Sequence, residues 1–457
     1  MTDQHCEPRK ADILLACPRC GAALAGSPRP RCNDCSVDFP TFAGVPWLFA
    51  DPAGALAEWR SRIDHAHARL QRDHELATRS LANCSEANAR RRLESLAAGY
   101  GAQSRALREL LAPLVAGKVG AALEVHLALK TRLPGAQGLT TYYSNLFRDW
   151  SWGDAENDAS CAAVLNATGR DTAARLVLGA GACRLAYDLH RASSGGATYA
   201  LDFNPLSMLA AERIVRGGHV SLTEFPIAPK DLDDVAASRT LAAPAPADEN
   251  LRLVLADADR PPFRRHAFDC VIAPWFVDVA DEALPSLARR INALLAPGGR
   301  FVVFGSLAFE HADPARRYSK AEALAHIEAA GFSIALDEER EIPYMNAPGS
   351  RHARREIVVT IAARKTRAVD AALHRERLPR WLMDTAQAVP LAPAFQTQAF
   401  TTRIYAFLMS MIDGRRSIDD MAALMEQQKL MPKDEARAAV RSFLTKMFEE
   451  SEAPPGR

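Results

Sequence analysis

The sequence lacks several features that mark common functional classes. Neither charge is in excess, since 56 Lys and Arg stand against 55 Asp and Glu and the formal net charge is +1. This balance argues against nucleic acid or anionic lipid as a partner. The sequence has no apolar run of the roughly 18 residues that a membrane span requires, and it begins with polar residues rather than a signal peptide. We therefore expect a soluble, cytoplasmic protein with no membrane partner.

The sequence also lacks the pattern of a disulfide-rich protein. Five of its nine cysteines are scattered, as expected for buried thiols in a reducing compartment. The other four form two Cys-x-x-Cys pairs that offer four thiolates to a tetrahedral zinc ion. No histidine or carboxylate takes the place of a thiolate, so we expect a closed, structural Zn²⁺ site in a mini-domain too small to fold unaided. Its ligands would be Cys17, Cys20, Cys32 and Cys35.

A lysine-containing phosphate loop and the complete dinucleotide fingerprint are both missing. Instead, an apolar run at 176–178 leads into Gly179, Ala180 and Gly181, and a second apolar run ends in Asp202. Glycines let a ligand approach the backbone where a Cβ would block it, and an acid at a strand tip accepts hydrogen bonds from ribose hydroxyls. The arrangement predicts a pocket for an adenosine-containing cofactor. A plain tight turn is the alternative explanation of the glycines.

The remaining pattern divides the chain into four predicted regions. They are a zinc ribbon at 1–54, a helical region at 55–170, an α/β domain at 171–366, and a basic linker with a small helical unit at 367–457. Alternating strands and helices in the third region predict a parallel sheet covered on both faces. The predicted strands span 175–178, 198–202, 251–256, 268–273, 300–304, 332–337 and 356–363. A Pro- and Ala-rich stretch at 231–249 predicts a surface insertion. In the last region, a helix, a strand-like link near 413–418 and two amphipathic helices predict a winged-helix-like unit.

The order of these elements resembles class I S-adenosylmethionine-dependent methyltransferases, which have a Rossmann-like sheet. Four separated segments resemble, more narrowly, the carnosine N-methyltransferase family, which methylates the imidazole of a histidine-containing dipeptide. The segments are Phe-Arg-Asp-Trp-Ser at 147–151, Pro-Trp-Phe-Val-Asp-Val-Ala at 274–280, Leu-Ala-Pro-Gly-Gly-Arg-Phe-Val-Val-Phe-Gly-Ser-Leu at 295–307 and Tyr-Met-Asn-Ala-Pro-Gly-Ser at 344–350. The resemblance covers roughly residues 142–365 and implies S-adenosyl-L-methionine as cofactor.

Two shorter resemblances concern the ends of the chain. The segment 37–48 resembles the end of small zinc ribbons of the tRNA-methyltransferase activator type. The segment Ile-Asp-Gly-Arg-Arg-Ser-Ile at 412–418 resembles peptide-binding accessory domains of the pyrroloquinoline-quinone pathway type. The second resemblance implies a peptide partner for the C-terminal unit.

The family resemblance assigns cofactor-binding roles residue by residue. Asn145 and Arg148 would hold the methionine end, where a guanidinium fork matches a carboxylate. Asp202 would bind the ribose. The complete implied set is Asn145, Arg148, Gly179, Gly181, Asp202, Asp257, Ala258 and Pro274. The chain departs from the family pattern at Asn145, Asp202, Pro274 and near His311, where the family has Gln, Glu, Cys and a histidine one residue away.

Asp278 is our candidate for recognition of the methyl acceptor. It follows the fourth predicted strand, where open α/β sheets place their ligands. A carboxylate that accepts one imidazole N–H fixes the tautomer and aims the other, neutral nitrogen at a sulfonium methyl group. His311, Tyr344 and, as a further candidate, Tyr318 would complete the pocket as hydrogen-bond partners. The alternatives are a helix-capping Asp278 and a packed Tyr344.

These observations predict an S-adenosylmethionine-dependent N-methyltransferase that acts on the imidazole of a histidine-containing small molecule or peptide. Two alternatives change the acceptor: an RNA methyltransferase that uses the zinc ribbon, or a peptide-modifying methyltransferase of a natural-product pathway. A third alternative is a cofactor-binding scaffold without catalysis. The near-neutral charge and the absence of an Asn-Pro-Pro-Tyr type motif argue against the RNA alternative.

Overall fold

The computed structural model describes residues 14–26, 29–115, 138–170, 172–193, 195–311, 313–374 and 386–452. The chain divides into two units, Met1–Arg375 and Glu376–Arg457. The polar first residues and part of the predicted basic linker lie outside the described residues. Among the helices that are described, none is both long and apolar enough to cross a membrane.

The cysteine-containing region is a pair of very short hairpins. Strand β1 (Arg31–Cys32) pairs with β2 (Val37–Asp38), and β3 (Thr41–Phe42) pairs with β4 (Val45–Pro46), both antiparallel. Strands of two residues cannot bury a core of their own, so the region depends on contacts elsewhere.

Two segments of this region hydrogen-bond to the α/β unit, one to strand β9 (Leu251–Leu255) and one to the loop that follows it. The Leu48 N–H donates to the Leu255 carbonyl at 2.7 Å, and the Ala16 N–H donates to the Pro262 carbonyl at 2.9 Å. Trp47 forms a parallel bridge with Leu255. The extended segment at residues 47 and 48 therefore pairs with the end of β9 at Leu255.

The predicted helical region consists mainly of two long helices that pack against each other, α1 (Pro52–Ala82) and α2 (Ala87–Val115). Asp51 caps α1 by accepting a hydrogen bond from the Gly54 N–H at 3.0 Å, and Pro52 supplies a first helical residue that needs no donor. Helix α3 (Tyr143–Phe147), a π-helical turn (Arg148–Trp152) and α4 (Asp154–Thr168) then lead to the sheet.

The α/β unit follows in chain order. Its elements are β5 (Ala174–Leu178), α5 (Arg184–Arg191), β6 (Ala197–Asp202), α6 (Pro205–Val215), β7 (His219–Glu224), β8 (Ala237–Ala242), β9 (Leu251–Leu255), β10 (Phe268–Pro274), α7 (Leu284–Leu294), β11 (Leu295–Gly305), α8 (Lys320–Ala329), β12 (Phe332–Tyr344) and β13 (Arg354–Lys365). Short 3₁₀ turns lie at Leu232–Asp234 and Pro314–Arg316.

Seven of these strands form one sheet in the order β12-β13-β11-β10-β5-β6-β9. The strands are parallel except β13, which is antiparallel to both of its neighbours. All seven predicted strands are confirmed, although β11 begins at Leu295 rather than at residue 300, β12 continues to Tyr344 rather than to residue 337, and β13 is longer by two residues at each end. Apolar side chains of β5 and β10 are buried on both faces because helices cover the sheet on each side.

The prediction of a surface insertion at 231–249 is wrong in part. Within it, β8 pairs with β7 as an antiparallel hairpin, and the Leu241 side chain is fully buried. Leu241 belongs to the same apolar cluster as Leu222 of β7. The hairpin is therefore part of the folded core, although the Pro- and Ala-rich residues that follow it are mostly exposed or half-buried.

The second unit contains helices α9 (Pro393–Ser410), α10 (Ile418–Gln427) and α11 (Lys433–Glu452). Ser417 begins α10 in a capping box with Asp420, which satisfies backbone N–H groups at the helix start. The helices agree with the predicted small helical unit. The predicted strand-like link is wrong, because Asp413 accepts backbone N–H bonds from Arg415 and Arg416 and holds a turn there. In the described part of this unit, no strand is found.

Candidate active site

Apart from Asn145 and Arg148, the predicted site residues lie at or after the carboxyl ends of six strands that point the same way. The glycines follow β5, Asp202 ends β6, Asp257 and Ala258 follow β9, Pro274 ends β10, His311 comes after β11 and Tyr344 ends β12. Because parallel strands end at one edge of a sheet, these residues share one crevice edge.

The glycine turn is held to the second strand by a carboxylate. Asp202 accepts hydrogen bonds from the Gly181 N–H at 2.9 Å and from the Asn204 N–H at 2.8 Å. Both glycines have positive φ, +64° at Gly179 and +55° at Gly181. A Cβ at Gly179 would lie 2.5 Å from the Phe276 ring, whereas one at Gly181 would meet no atom within 4 Å. The backbone at Gly181 is therefore open to a ligand.

Asp202 is buried, with 7% of its surface exposed. Burial raises the pKa of its carboxyl group to about 6, although backbone N–H bonds from Asn204 and Gly181 oppose this shift. A ligand hydroxyl that donates to Asp202 would favour the ionised carboxylate in the same way that these N–H groups do.

Arg148 lies in the π-helical turn and is fixed by two carboxylates. Its Nε donates to Asp149 at 2.7 Å and its Nη1 to Glu156 at 3.1 Å. Burial alone would lower the pKa of Arg148, but the two neighbouring carboxylates raise it above its ordinary value. Among the described residues, Nη2 has no hydrogen-bond partner, so this edge of the guanidinium is free to bind an anionic group.

Two further contacts place Arg148 at the crevice. The indole N–H of Trp150 donates to the Ala182 carbonyl, in the glycine turn, at 2.8 Å. Glu156, which holds Arg148, also accepts the Met345 N–H at 2.7 Å, directly after β12. The turn that carries Arg148 is thereby tied both to the glycines and to the end of β12.

Other predicted cofactor residues have less specific surroundings. The Asp257 side chain accepts the Asp259 N–H at 2.9 Å and so caps its own loop. Pro274 is buried in the ladder between β10 and β11. Asn145 is half-buried, and its side chain has no hydrogen bond within the described residues. The proposed roles of these residues stay predictions.

Asp278 is anchored through one carboxylate oxygen. Its Oδ2 accepts the Ala308 N–H at 2.9 Å and the Ser306 hydroxyl at 3.4 Å, both from the segment after β11. No donor to Oδ1 is found in the described part of the chain. Asp278 does not cap a helix, since the next helix, α7, begins six residues later with Ala283 at its N-cap position.

Asp278 lines a small pocket together with His311 and Tyr318. Both ring nitrogens of His311 already face donors: Nδ1 lies 2.9 Å from the Asp313 N–H and Nε2 lies 2.7 Å from Nη1 of Arg316. A neutral imidazole has one lone-pair nitrogen, so at most one of these contacts is a full hydrogen bond at a time.

Tyr344 lies on another wall of the crevice. Its ring packs against Trp275 with centroids 4.9 Å apart, and the Arg354 guanidinium lies 4.5 Å from the ring centroid. Trp275 has a φ of +50°, a conformation that L residues rarely adopt and that is concentrated at functional sites. The structure thus joins Asp278, His311 and Tyr318 in one pocket, with Tyr344 outside that group.

Sequence reasoning missed three residues at this edge: Glu156, Trp275 and Arg290. Glu156 and Arg290 each connect loops that are far apart in sequence, and no local pattern predicts such contacts. Trp275 lies within a segment already singled out, and its position directly after a strand was the available signal.

The four cysteines form a compact group. Their sulfur atoms all lie within 4.8 Å of one another, which fits a tetrahedral zinc ion, whose ligand sulfurs are about 3.8 Å apart for Zn–S bonds of about 2.3 Å. Backbone N–H groups also point at the sulfurs, from Arg19 to Cys17 and from Cys35 to Cys32, each at 3.4 Å. The four residues therefore offer a complete donor set for one metal ion.

A family model described as "Methyltransferase domain" matches residues 176–303. No curated protein sequence matches the chain. Solved structures that resemble it include human N-acetylserotonin methyltransferase (17% identity, 60% of this chain, 71% of that chain, TM-score 0.31). A second is Burkholderia thailandensis 1,6-didemethyltoxoflavin-N1-methyltransferase (19% identity, 55% of this chain, 93% of that chain, TM-score 0.30). A third is a methyltransferase from Aquifex aeolicus (14% identity, 48% of this chain, 91% of that chain, TM-score 0.31).

The matched residues run from β5 into β11 and include the glycine turn, Asp202, Asp257 and Asp278. The predicted fold class is confirmed: the α/β unit is a Rossmann-like methyltransferase sheet. The predicted enzyme class is confirmed as well. The chain carries a methyltransferase domain at residues 176–303.

Proposed function

We propose that the chain transfers the methyl group to an imidazole nitrogen of a histidine-containing small molecule or peptide. The observation that carries this proposal is the arrangement of Asp278. One oxygen is fixed by the Ala308 N–H, and the other has no donor in the described part of the chain. The family resemblance of the segment 274–280 supports the same acceptor.

On the cofactor side, S-adenosylmethionine supplies an electrophilic sulfonium methyl group when bound. Asp202 would accept hydrogen bonds from the ribose, and the free Nη2 edge of Arg148 would bind the amino-acid carboxylate. A guanidinium already fixed by Asp149 and Glu156 loses little further freedom when it binds an anion. The open backbone at Gly181 leaves room for the cofactor beside the turn.

On the acceptor side, Oδ1 of Asp278 accepts the N–H of one imidazole nitrogen and leaves the lone pair of the other facing the methyl group. Imidazole is largely neutral near pH 7, so no strong base is required and positioning supplies most of the rate. Transfer would break the S–CH3 bond, form the N–CH3 bond, release S-adenosylhomocysteine and leave the positive charge on the methylated ring, which would later lose its N–H proton to water. The Asp278 carboxylate, next to the ring, stabilises that charge.

The test is methyl transfer to carnosine and to histidine-containing peptides, followed by mass spectrometry, with Asp278→Asn as the main variant. Asparagine keeps the size of the side chain but loses the negative charge beside the ring. We expect kcat/KM for the acceptor to fall about 100-fold while S-adenosylhomocysteine binds with unchanged affinity. Asp281→Asn, on an exposed residue of the same loop, is the matched control. Failure of wild type to methylate any imidazole would overturn the proposal.

We also infer that the four-cysteine group binds a structural zinc ion and that the C-terminal helical unit binds a peptide. The sulfur geometry and the pairwise spacing support the first inference. The resemblance of the segment 412–418 supports the second, which would make a peptide the natural acceptor.

A further inference from the structure

A buried ionic group connects the loop after β9 with the loop after β10. Arg290, on α7, has 3% of its surface exposed, and Asp259 and Glu282 have 5% and 6%. Its Nη1 donates to the Asp259 carbonyl at 2.6 Å, and its Nη2 contacts both the Asp259 carboxylate, at 3.3 Å, and the Glu282 carboxylate. One guanidinium therefore bonds to both loops at once.

The first loop belongs to the cofactor side. The Asp259 N–H donates to Asp257, the predicted adenine-side residue, at 2.9 Å. One residue earlier, the Ala256 N–H donates to the Asp202 carbonyl at 3.1 Å. A displacement of Asp259 would thus move the loop that contacts Asp257 and Asp202, both on the proposed cofactor side.

The second loop belongs to the acceptor side. It begins at Asp278 and ends at Glu282, and both residues line the same small pocket. Its Asp281 carbonyl accepts a hydrogen bond from Arg316, whose other terminal nitrogen contacts His311. The acceptor-side loop is therefore held between Arg290 and Arg316.

We propose that Arg290 is a positioning residue that couples binding of the methyl donor to the placement of the acceptor. Removing one partner of a buried ionic group leaves uncompensated charge, so the loops cannot keep their positions independently of this side chain. Lysine cannot replace it, because an ammonium lacks the planar fork that reaches both carboxylates. The proposal rests on the proposed function, in which Asp257 lies on the donor side and Asp278 on the acceptor side.

The experiment is hydrogen exchange of the full chain with and without S-adenosylhomocysteine, which does not require the acceptor to be known. In wild type we expect the ligand to protect amides of 257–260 and also of 278–282, the latter by about fivefold or more. In Arg290→Lys and Arg290→Met we expect that protecting 257–260 takes a higher ligand concentration than in wild type. At 278–282 the ratio of the exchange rates without and with ligand should be near one. Arg289→Met, on the exposed neighbouring residue of α7, should behave as wild type.

The outcomes separate the two proposals. Absence of protection at 257–260 in wild type would contradict the donor placement itself. Protection of both loops in Arg290→Lys, with wild-type magnitude, would overturn the coupling, as would protection confined to 257–260 in wild type. If Arg290→Met does not fold, hydrogen exchange and the melting temperature of Arg290→Lys distinguish coupling from a purely structural role. A role in stability alone would lower the melting temperature and leave the ratio at 278–282 unchanged.

Discussion

The two sides of the crevice are built differently. On the side that we propose for the methyl donor, Asp202 accepts backbone N–H groups, and Arg148 is held by Asp149 and Glu156. On the side that we propose for the acceptor, side chains of two loops meet, and Asp278 leaves one oxygen without a donor in the described residues. Under the proposed function, the side chains with internal partners would bind the invariant S-adenosylmethionine, and the carboxylate oxygen without a donor would face the acceptor.

The largest effect should come from the cysteine region, which contacts the donor side of the sheet. Cys32→Ser removes a buried member of the four-sulfur group, and a structural zinc site contributes roughly 10 kcal/mol or more to folding. We expect loss of bound zinc, measured by elemental analysis, and loss of S-adenosylhomocysteine binding in calorimetry. Residues 14–16 and 47–48 would no longer hold 255–264 in place.

Cys84→Ser is the matched control, because Cys84 lies between α1 and α2 and outside the group. A Cys32→Ser protein that lost zinc but kept donor affinity would show that the donor side is independent of this region. If Cys32→Ser weakened acceptor binding and left donor binding intact, the cysteine region would support the acceptor side instead of the donor side.

Arg148→Lys should have the next largest effect, confined to the donor side. The ammonium retains the charge but loses the fork that contacts two carboxylates and presents a free edge. Loss of one charge-assisted hydrogen bond, about 1.5–3 kcal/mol, should weaken S-adenosylhomocysteine binding about 10- to 100-fold in calorimetry. Arg170→Lys, at an exposed arginine, should change nothing. Wild-type affinity in Arg148→Lys would remove Arg148 from the donor site.

The smallest effect concerns pH. Burial raises the pKa of Asp202 from its ordinary value of 3.8 to about 6 in the folded, ligand-free protein. The protonated carboxyl group therefore stabilises the fold fully below pH 3.8, and this contribution is lost as the pH rises through 6. Ribose hydroxyls favour the ionised form, so donor affinity should increase about tenfold from pH 5 to pH 7.

Calorimetry across this range should also detect proton release on binding. Asp202→Asn should bind the donor weakly and show no change between pH 5 and pH 7. A wild-type affinity that is flat across the range would mean that Asp202 does not change its ionisation when the donor binds.

The strands, the glycine turn and the position of Asp202 could be predicted from the sequence because their signals are local. Apolar runs buried on both faces mark β5 and β6, and Asp202 comes at the end of the second run. The acceptor side could not be predicted to the same depth. Asp278 depends on Ala308, 30 residues away, and Arg290 on Asp259, 31 residues away.

The hairpin of β7 and β8 was missed for a related reason. Its second strand alternates exposed and partly buried residues, and the acidic turn before it and the Pro-Ala stretch after it have the composition of a surface loop. Only pairing with β7, which buries Leu241, distinguishes it from a loop. Pairing between strands is not encoded in any short window.

The extended segment at residues 47 and 48, which pairs with Leu255 of β9, has a consequence for truncated forms of the protein. An open sheet border presents unpaired backbone N–H and C=O groups that can recruit another polypeptide. The β12 border carries charged side chains along much of its length, including Glu338, Glu339 and Glu341, which discourage such recruitment. At the β9 border, residues 47 and 48 of the same chain pair with Leu255 instead. A fragment that begins after residue 48 would expose this end of β9 and would be prone to self-association.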